Sequence, residues 1–117
     1  MKLILNLSLK ELINLFESWD EPSYRASQVW QGLYRNFWNS QEQFTQLPGS
    51  LRTRLGEEFS FDALNPISLH KSNDEKTVKT LFRLYDGKAI ETVLMEYDRR
   101  RTICISTQVG CAMGCIF

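Results

Sequence analysis

Near Pro66 the spacing of apolar side chains changes from three and four residues to two, so no single-class fold suits this chain. Leu9, Leu12, Ile13 and Phe16 recur at helical steps. Val78, Thr80, Phe82 and Leu84 occupy alternate positions, as do Ile67 and Leu69 before them. A helix puts every third or fourth residue on one face, whereas a strand puts every second residue there. The expected class is α+β, with helices first and sheet after.

Ser8-Leu-Lys-Glu11 forms a capping box, in which the Ser8 hydroxyl and the Glu11 carboxylate satisfy each other's backbone amides. It predicts a helix over residues 8–18, stopped by Asp20-Glu-Pro22. Ser23 is the next N-cap candidate. Ala26, Val29, Trp30, Leu33, Tyr34 and Phe37 then predict a second helix over residues 24–37, with Trp30 and nearby Trp38 as core aromatics. Ser40-Gln-Glu-Gln43 opens a further turn carrying Phe44. Pro48-Gly49-Ser50 breaks the chain again, and Leu51, Leu55 and Phe59 mark a last helix. Residues 1–62 are expected to form a small cluster of four helices.

Beyond it, Ser72-Asn-Asp-Glu75 reads as a turn. Asp86-Gly87 reads as a two-residue hairpin turn, since both residue types tolerate positive φ. Ala89–Met95 is the returning strand, and residues 63–97 form a β-hairpin connector. After the polar link Tyr97-Asp-Arg-Arg100, Arg101–Ser106 is a further strand, which opens a third region at residues 98–117.

Fourteen basic and fourteen acidic side chains among 117 residues cancel, which neither requires nor excludes a nucleic-acid partner. No apolar run approaches the ~20 residues of a membrane helix. The N-terminus lacks the apolar core and cleavage site of a signal peptide. No membrane partner is expected. His70, the single histidine, reads as a surface or structural residue.

All three cysteines fall between residues 104 and 115. An odd, clustered set does not suit a secreted disulfide scaffold, so a reducing cytosol is expected. Cys111 and Cys115 each follow a glycine, in a loop fed by a strand. Thiolates on such a loop suit an iron–sulfur cluster, although a helix could also place this pair as packing residues. The spacing differs from the Cys-x-x-Cys of dithiol oxidoreductases, and no histidine stands near for zinc.

Residues 102–117, Thr-Ile-Cys-Ile-Ser-Thr-Gln-Val-Gly-Cys-Ala-Met-Gly-Cys-Ile-Phe, resemble the entry motif of radical S-adenosylmethionine RNA methyltransferases of the RlmN/Cfr type. Three further stretches are similar to that family in the same order. They are Glu21-Pro-Ser-Tyr-Arg-Ala-Ser-Gln-Val-Trp30, Phe44-Thr-Gln-Leu-Pro48 and Lys88-Ala-Ile-Glu-Thr-Val-Leu-Met95. The resemblance implies that a helical accessory domain and β-hairpin precede the first strand of a (β/α) partial barrel. It also implies a [4Fe–4S] cluster held by three thiolates, of which Cys111 and Cys115 would be two. The third would follow Phe117, so the chain is expected to be the inactive front part of a longer enzyme. The free iron would bind S-adenosylmethionine, and reduction by an electron donor would yield a 5′-deoxyadenosyl radical.

The same resemblance assigns Glu91 as the proton acceptor near the substrate adenine. It gives Cys104 a part in resolving a covalent protein–RNA intermediate with a cysteine outside this sequence. On pattern alone, Glu91 fits a solvent-facing strand position equally well, and Cys104 a core-facing one. The implied partners are ribosomal RNA and transfer RNA. Lys10, Arg25, Arg35 and Arg99–Arg101, with Tyr24 or Tyr34, are the candidate contacts. Carbon 2 and carbon 8 of the adenosine both stay open as targets. A third reading is a non-catalytic RNA-docking fragment without a cluster.

Overall fold

The computed structural model describes residues 1–114. The chain divides into two compact units, Met1–Ala63 and Leu64–Phe117.

The first unit opens with strand β1 (Lys2–Leu3), followed by a 3-10 turn at Ile4–Asn6. Helix α1 (Leu9–Ser18) begins at the capping box as expected: Ser8 Oγ accepts from Glu11 N–H, and the Glu11 carboxylate accepts from Ser8 N–H at 2.8 Å. It ends in a Schellman closure. Asp20 takes a left-handed conformation (φ 62°), Glu21 N–H donates to Phe16 O and Asp20 N–H to Glu17 O. Asp fills a position usually held by Gly, because its short polar side chain tolerates this region.

Helix α2 (Ser23–Tyr34) differs from expectation at both ends. Pro22 occupies the N-cap, where its missing N–H costs nothing, and Ser23 is the first helical residue. The helix stops before Phe37, which turns left-handed (φ 56°) and is 81% exposed rather than core. Trp38 therefore lies beyond the helix, not on it. Its N–H donates back to Gly32 O at 2.9 Å, and its ring meets Phe44 edge-on with centroids 5.0 Å apart. A Cβ on Gly32 would stand 2.6 Å from Trp38 Cε3 and 3.1 Å from Phe44 Cδ1, so glycine is what admits both rings.

A 3-10 turn at Gln41–Gln43 stands where a fourth helix was expected. Helix α3 (Gly49–Glu58) then leads into strand β2 (Phe59–Ser60), which pairs in parallel with β1. That pairing had no counterpart in the sequence reading. The core between these elements contains Ile4, Leu12, Phe16, Val29, Phe44 and Leu55, each 1% exposed or less. Arg25, a candidate RNA contact, ties α2 to the following loop, with Nη1 donating to Gln46 O at 2.9 Å.

The second unit is one antiparallel meander of β3 (Asn65–Lys71), β4 (Thr77–Arg83), β5 (Ala89–Glu96) and β6 (Arg101–Ile105). Every neighbour in the sheet is also a neighbour in sequence. The turn at Ser72–Glu75 forms as expected, with Glu75 at φ 59° and its N–H donating to Ser72 O. The Asp86-Gly87 turn forms, but with a longer loop. Leu84 N–H donates to Lys88 O and Gly87 N–H to Leu84 O, leaving Tyr85-Asp86-Gly87 as a three-residue loop. Gly87 alone takes positive φ (83°), while Asp86 Oδ1 accepts from Lys88 N–H. β6 follows β5 through the Tyr97–Arg100 turn and is hydrogen-bonded to it, so the strand after Asp98 belongs to the same sheet.

Gly32→Ala should destabilise the chain by about 1–3 kcal/mol, since Trp38 or Phe44 must leave its rotamer. Urea unfolding with unchanged m-value would measure it. The Glu11 carboxyl is held below its ordinary value by the hydrogen bond from the Ser8 amide, then by that from the Ser8 hydroxyl. Its stabilising contribution is therefore present above the unfolded carboxylate pKa of about 4.3 and lost as pH falls through the lower folded value. Glu11→Gln should flatten that part of the acid unfolding profile.

Candidate functional site

The register of the sheet decides which side chains share a face. Lys79 lies opposite Val93, and Val93 opposite Cys104. His70 extends the same row on β3. Glu91, two positions from Val93 on β5, lies opposite Leu81 and shares that face. The alternate positions, including Val78, Phe82, Ile90, Leu94, Ile103 and Ile105, form the other, more apolar face. Thus the sheet brings Glu91 and Cys104 to one side.

Neither is enclosed within this chain. Cys104 is exposed with a free thiol. The Glu91 side chain is 51% exposed and forms an ion pair with Lys79, Nζ to Oε1 3.3 Å. Its backbone carbonyl accepts from Ser106 Oγ at 2.9 Å, which ties the strand carrying Glu91 to the start of the cysteine loop.

That loop leaves β6 directly. Gly110 and Gly114, both left-handed at φ 69° and 63°, bracket Cys111, and no atom of the described residues lies within 4 Å of where a Cβ would stand on either. A side chain at these positions would be strained by the backbone rather than by crowding. Gly114 N–H approaches Cys111 O at 3.5 Å, turning the chain around the cysteine. Cys111 is a free, exposed thiol. A thiolate on an open, glycine-bracketed turn fits a soft iron–sulfur centre in chemistry. Among the described residues, no group of three or more candidate ligands gathers, and Cys115 lies outside them.

The other candidate RNA contacts are partly engaged. Tyr34 Oη donates to Leu5 O at 3.2 Å while its ring packs on Trp30. Arg100 stacks on Tyr97, and Arg101 pairs with Glu96 at 3.4 Å. Arg25 also lies over the exposed Tyr24 ring, 4.9 Å from its centroid. His70 is exposed on β3. The sequence reading passed over Lys79; the hairpin register is the signal that would have placed it diagonal to Glu91.

Residues 3–60 match the family described as the ribosomal RNA large subunit methyltransferase N-terminal domain. A Chloroflexus aurantiacus protein named "Probable dual-specificity RNA methyltransferase RlmN" is 46% identical over 94% of this chain and 29% of its own length. A protein of the same name from Dictyoglomus thermophilum is 39% identical over the whole chain and 33% of its own length. The crystal structure of a radical SAM methyltransferase from Sphaerobacter thermophilus superposes with a TM-score of 0.85 at 40% identity, covering all of this chain and 34% of that one. The chain belongs to the RlmN family through this N-terminal domain. It spans about a third of the length of the relatives it matches.

Cys104 and Cys111 should both react with maleimide in the folded chain, only a few-fold more slowly than in urea. Mass spectrometry of partly labelled protein reads both rates, and strong protection of either would contradict the exposed placement.

Proposed function

We propose that this chain is the front part of a radical S-adenosylmethionine enzyme that methylates carbon 2 of an adenosine in 23S ribosomal RNA and in transfer RNA. The observation that carries the reading is the continuous path from the Glu91 and Cys104 sheet face, through β6, into the glycine-bracketed Cys111 turn. The relatives' name, RlmN, supports carbon 2 over carbon 8, the Cfr-type target.

In this reading residues 1–62 are an accessory domain that docks RNA, 63–97 a connector, and 98–117 the start of the barrel. Cys111 and Cys115 hold two irons of a [4Fe–4S] cluster, with a third cysteine beyond this sequence. When bound, the cluster and S-adenosylmethionine supply radical chemistry, drawing on an outside electron donor. Glu91 accepts a proton at the substrate base, and its common face with Cys104 supports their acting on the same base. Cys104 is the thiol that releases the RNA from a covalent link to a second cysteine: its thiolate attacks that cysteine's sulfur and forms a disulfide, while the sulfur–carbon bond to the RNA breaks and the freed carbon takes up a proton. Its exposure leaves the thiol free to make that attack.

In the full-length enzyme, Cys111→Ala should abolish both cluster absorption and RNA methylation. Cys104→Ala should keep the cluster and accumulate protein bound covalently to RNA. Methylation surviving Cys111→Ala would sink the reading. Anaerobic iron–sulfide reconstitution of the present 117 residues should give no stable [4Fe–4S] spectrum.

A further inference from the structure

We propose that Lys79 is a positioning residue for Glu91, fixing one carboxylate oxygen so that the other faces the substrate. The inference rests on the reading of Glu91 as proton acceptor. Two cations stand diagonal to Glu91 on its face, Lys79 and Arg83, opposite Val93 and Ala89 respectively. It is Lys79 that reaches, with Nζ 3.3 Å from Glu91 Oε1.

The placement of this pair sets it apart from the other two ion pairs among the described residues. Lys88–Asp86 lies in the β4–β5 loop, and Arg101–Glu96 where β5 turns into β6. Both brace the ends of strands. Lys79–Glu91 instead lies mid-sheet, with Lys79 in the row of Val93 and Cys104 and Glu91 in the next row on the same face. The titratable groups sharing its face nearby are His70, directly opposite Lys79, Arg83 further along β4, and the Cys104 thiol opposite Val93 on β6.

A glutamate on an open strand has three rotatable side-chain bonds, and its carboxylate sweeps a wide arc. An ammonium at Oε1 selects one arm of that arc and leaves Oε2 as the oxygen able to take a proton. Both side chains are about half exposed, so the pair adds little to fold stability and its removal should leave the sheet intact. What removal disturbs is aim. General-base catalysis needs the acceptor within hydrogen-bond reach of its proton, and small misplacements are costly.

The test uses full-length enzyme carrying its cluster, with Lys79→Met, Lys79→Arg and Glu91→Gln compared with wild type. Lys79→Met should lower kcat for methylation about tenfold, within the loss that an ångström-scale misplacement causes. KM for RNA should change little, and S-adenosylmethionine cleavage and thermal unfolding should match wild type. Lys79→Arg, which restores a cation at similar reach, should recover most of kcat. Wild-type kcat in Lys79→Met, an effect confined to KM, or an Arg variant no better than Met would each overturn the proposal. Glu91→Gln separates the two ideas. If it is inactive while Lys79→Met is unaffected, only the positioning role fails. If it turns over normally, the proton-acceptor reading falls and the positioning role falls with it.

Discussion

The register of one hairpin decides which side chains Glu91 meets across the sheet. Tyr85-Asp86-Gly87 closes β4 onto β5 as three residues, so that Arg83 meets Ala89 and Leu81 meets Glu91. A two-residue loop would shift this pairing by one and set Glu91 opposite Phe82, among the apolar side chains. In a pleated sheet such a slip exchanges the faces of a whole strand relative to its partner. Gly87, at φ 83°, supplies the left-handed step that the longer loop needs. The company Glu91 keeps with Lys79 therefore depends on a glycine that touches neither, while its common face with Cys104 follows from the β5–β6 pairing.

The two units are held by different forces. In Met1–Ala63 the buried side chains of α1, α2, α3 and the loops between them make a closed apolar core. Every buried hydrophobic residue among those described belongs to that unit. The sheet of Leu64–Phe117 relies on ladder hydrogen bonds and cross-strand contacts, each worth roughly 0.2–1 kcal/mol. Its apolar face keeps Ile103 and Ile105 about 60% exposed. The cysteine turn thus grows from an edge strand fixed by its backbone rather than by packing.

Local signals in the sequence were read well where the deciding chemistry is itself local. Ser8 and Glu11 specify the start of α1 because the two groups that close the cap lie three residues apart. The change of period near Pro66 likewise separates helices from strands without knowledge of any distant contact. The end of α2 was not legible, because Phe37 sits at a helical step and is apolar, yet tertiary packing of Trp38 on Phe44 pulls the chain off the helix first. The hairpin was legible in its existence and not in its loop length, since Asp-Gly serves both two- and three-residue loops. For Glu91 the pattern left its side of the sheet open, and only the observed pairing settles it. Arg25 shows what charge reading leaves out: one nitrogen of its guanidinium donates to the Gln46 carbonyl, a structural bond that no local pattern announces.

The pairing of β1 with β2 links the extreme ends of the first unit, Lys2 with Phe59 and Leu3 with Ser60. During synthesis, that closure must wait until some sixty residues have left the ribosome. The meander that follows has no such wait, because each strand finds its partner one turn back. Hairpins form in about 1–10 μs, whereas translation adds roughly 5–20 residues per second. The sheet can therefore assemble strand by strand as it emerges. By the time Cys111 becomes accessible, the strands that carry Glu91 and Cys104 have had time to settle into register, so the loop leaves a finished support.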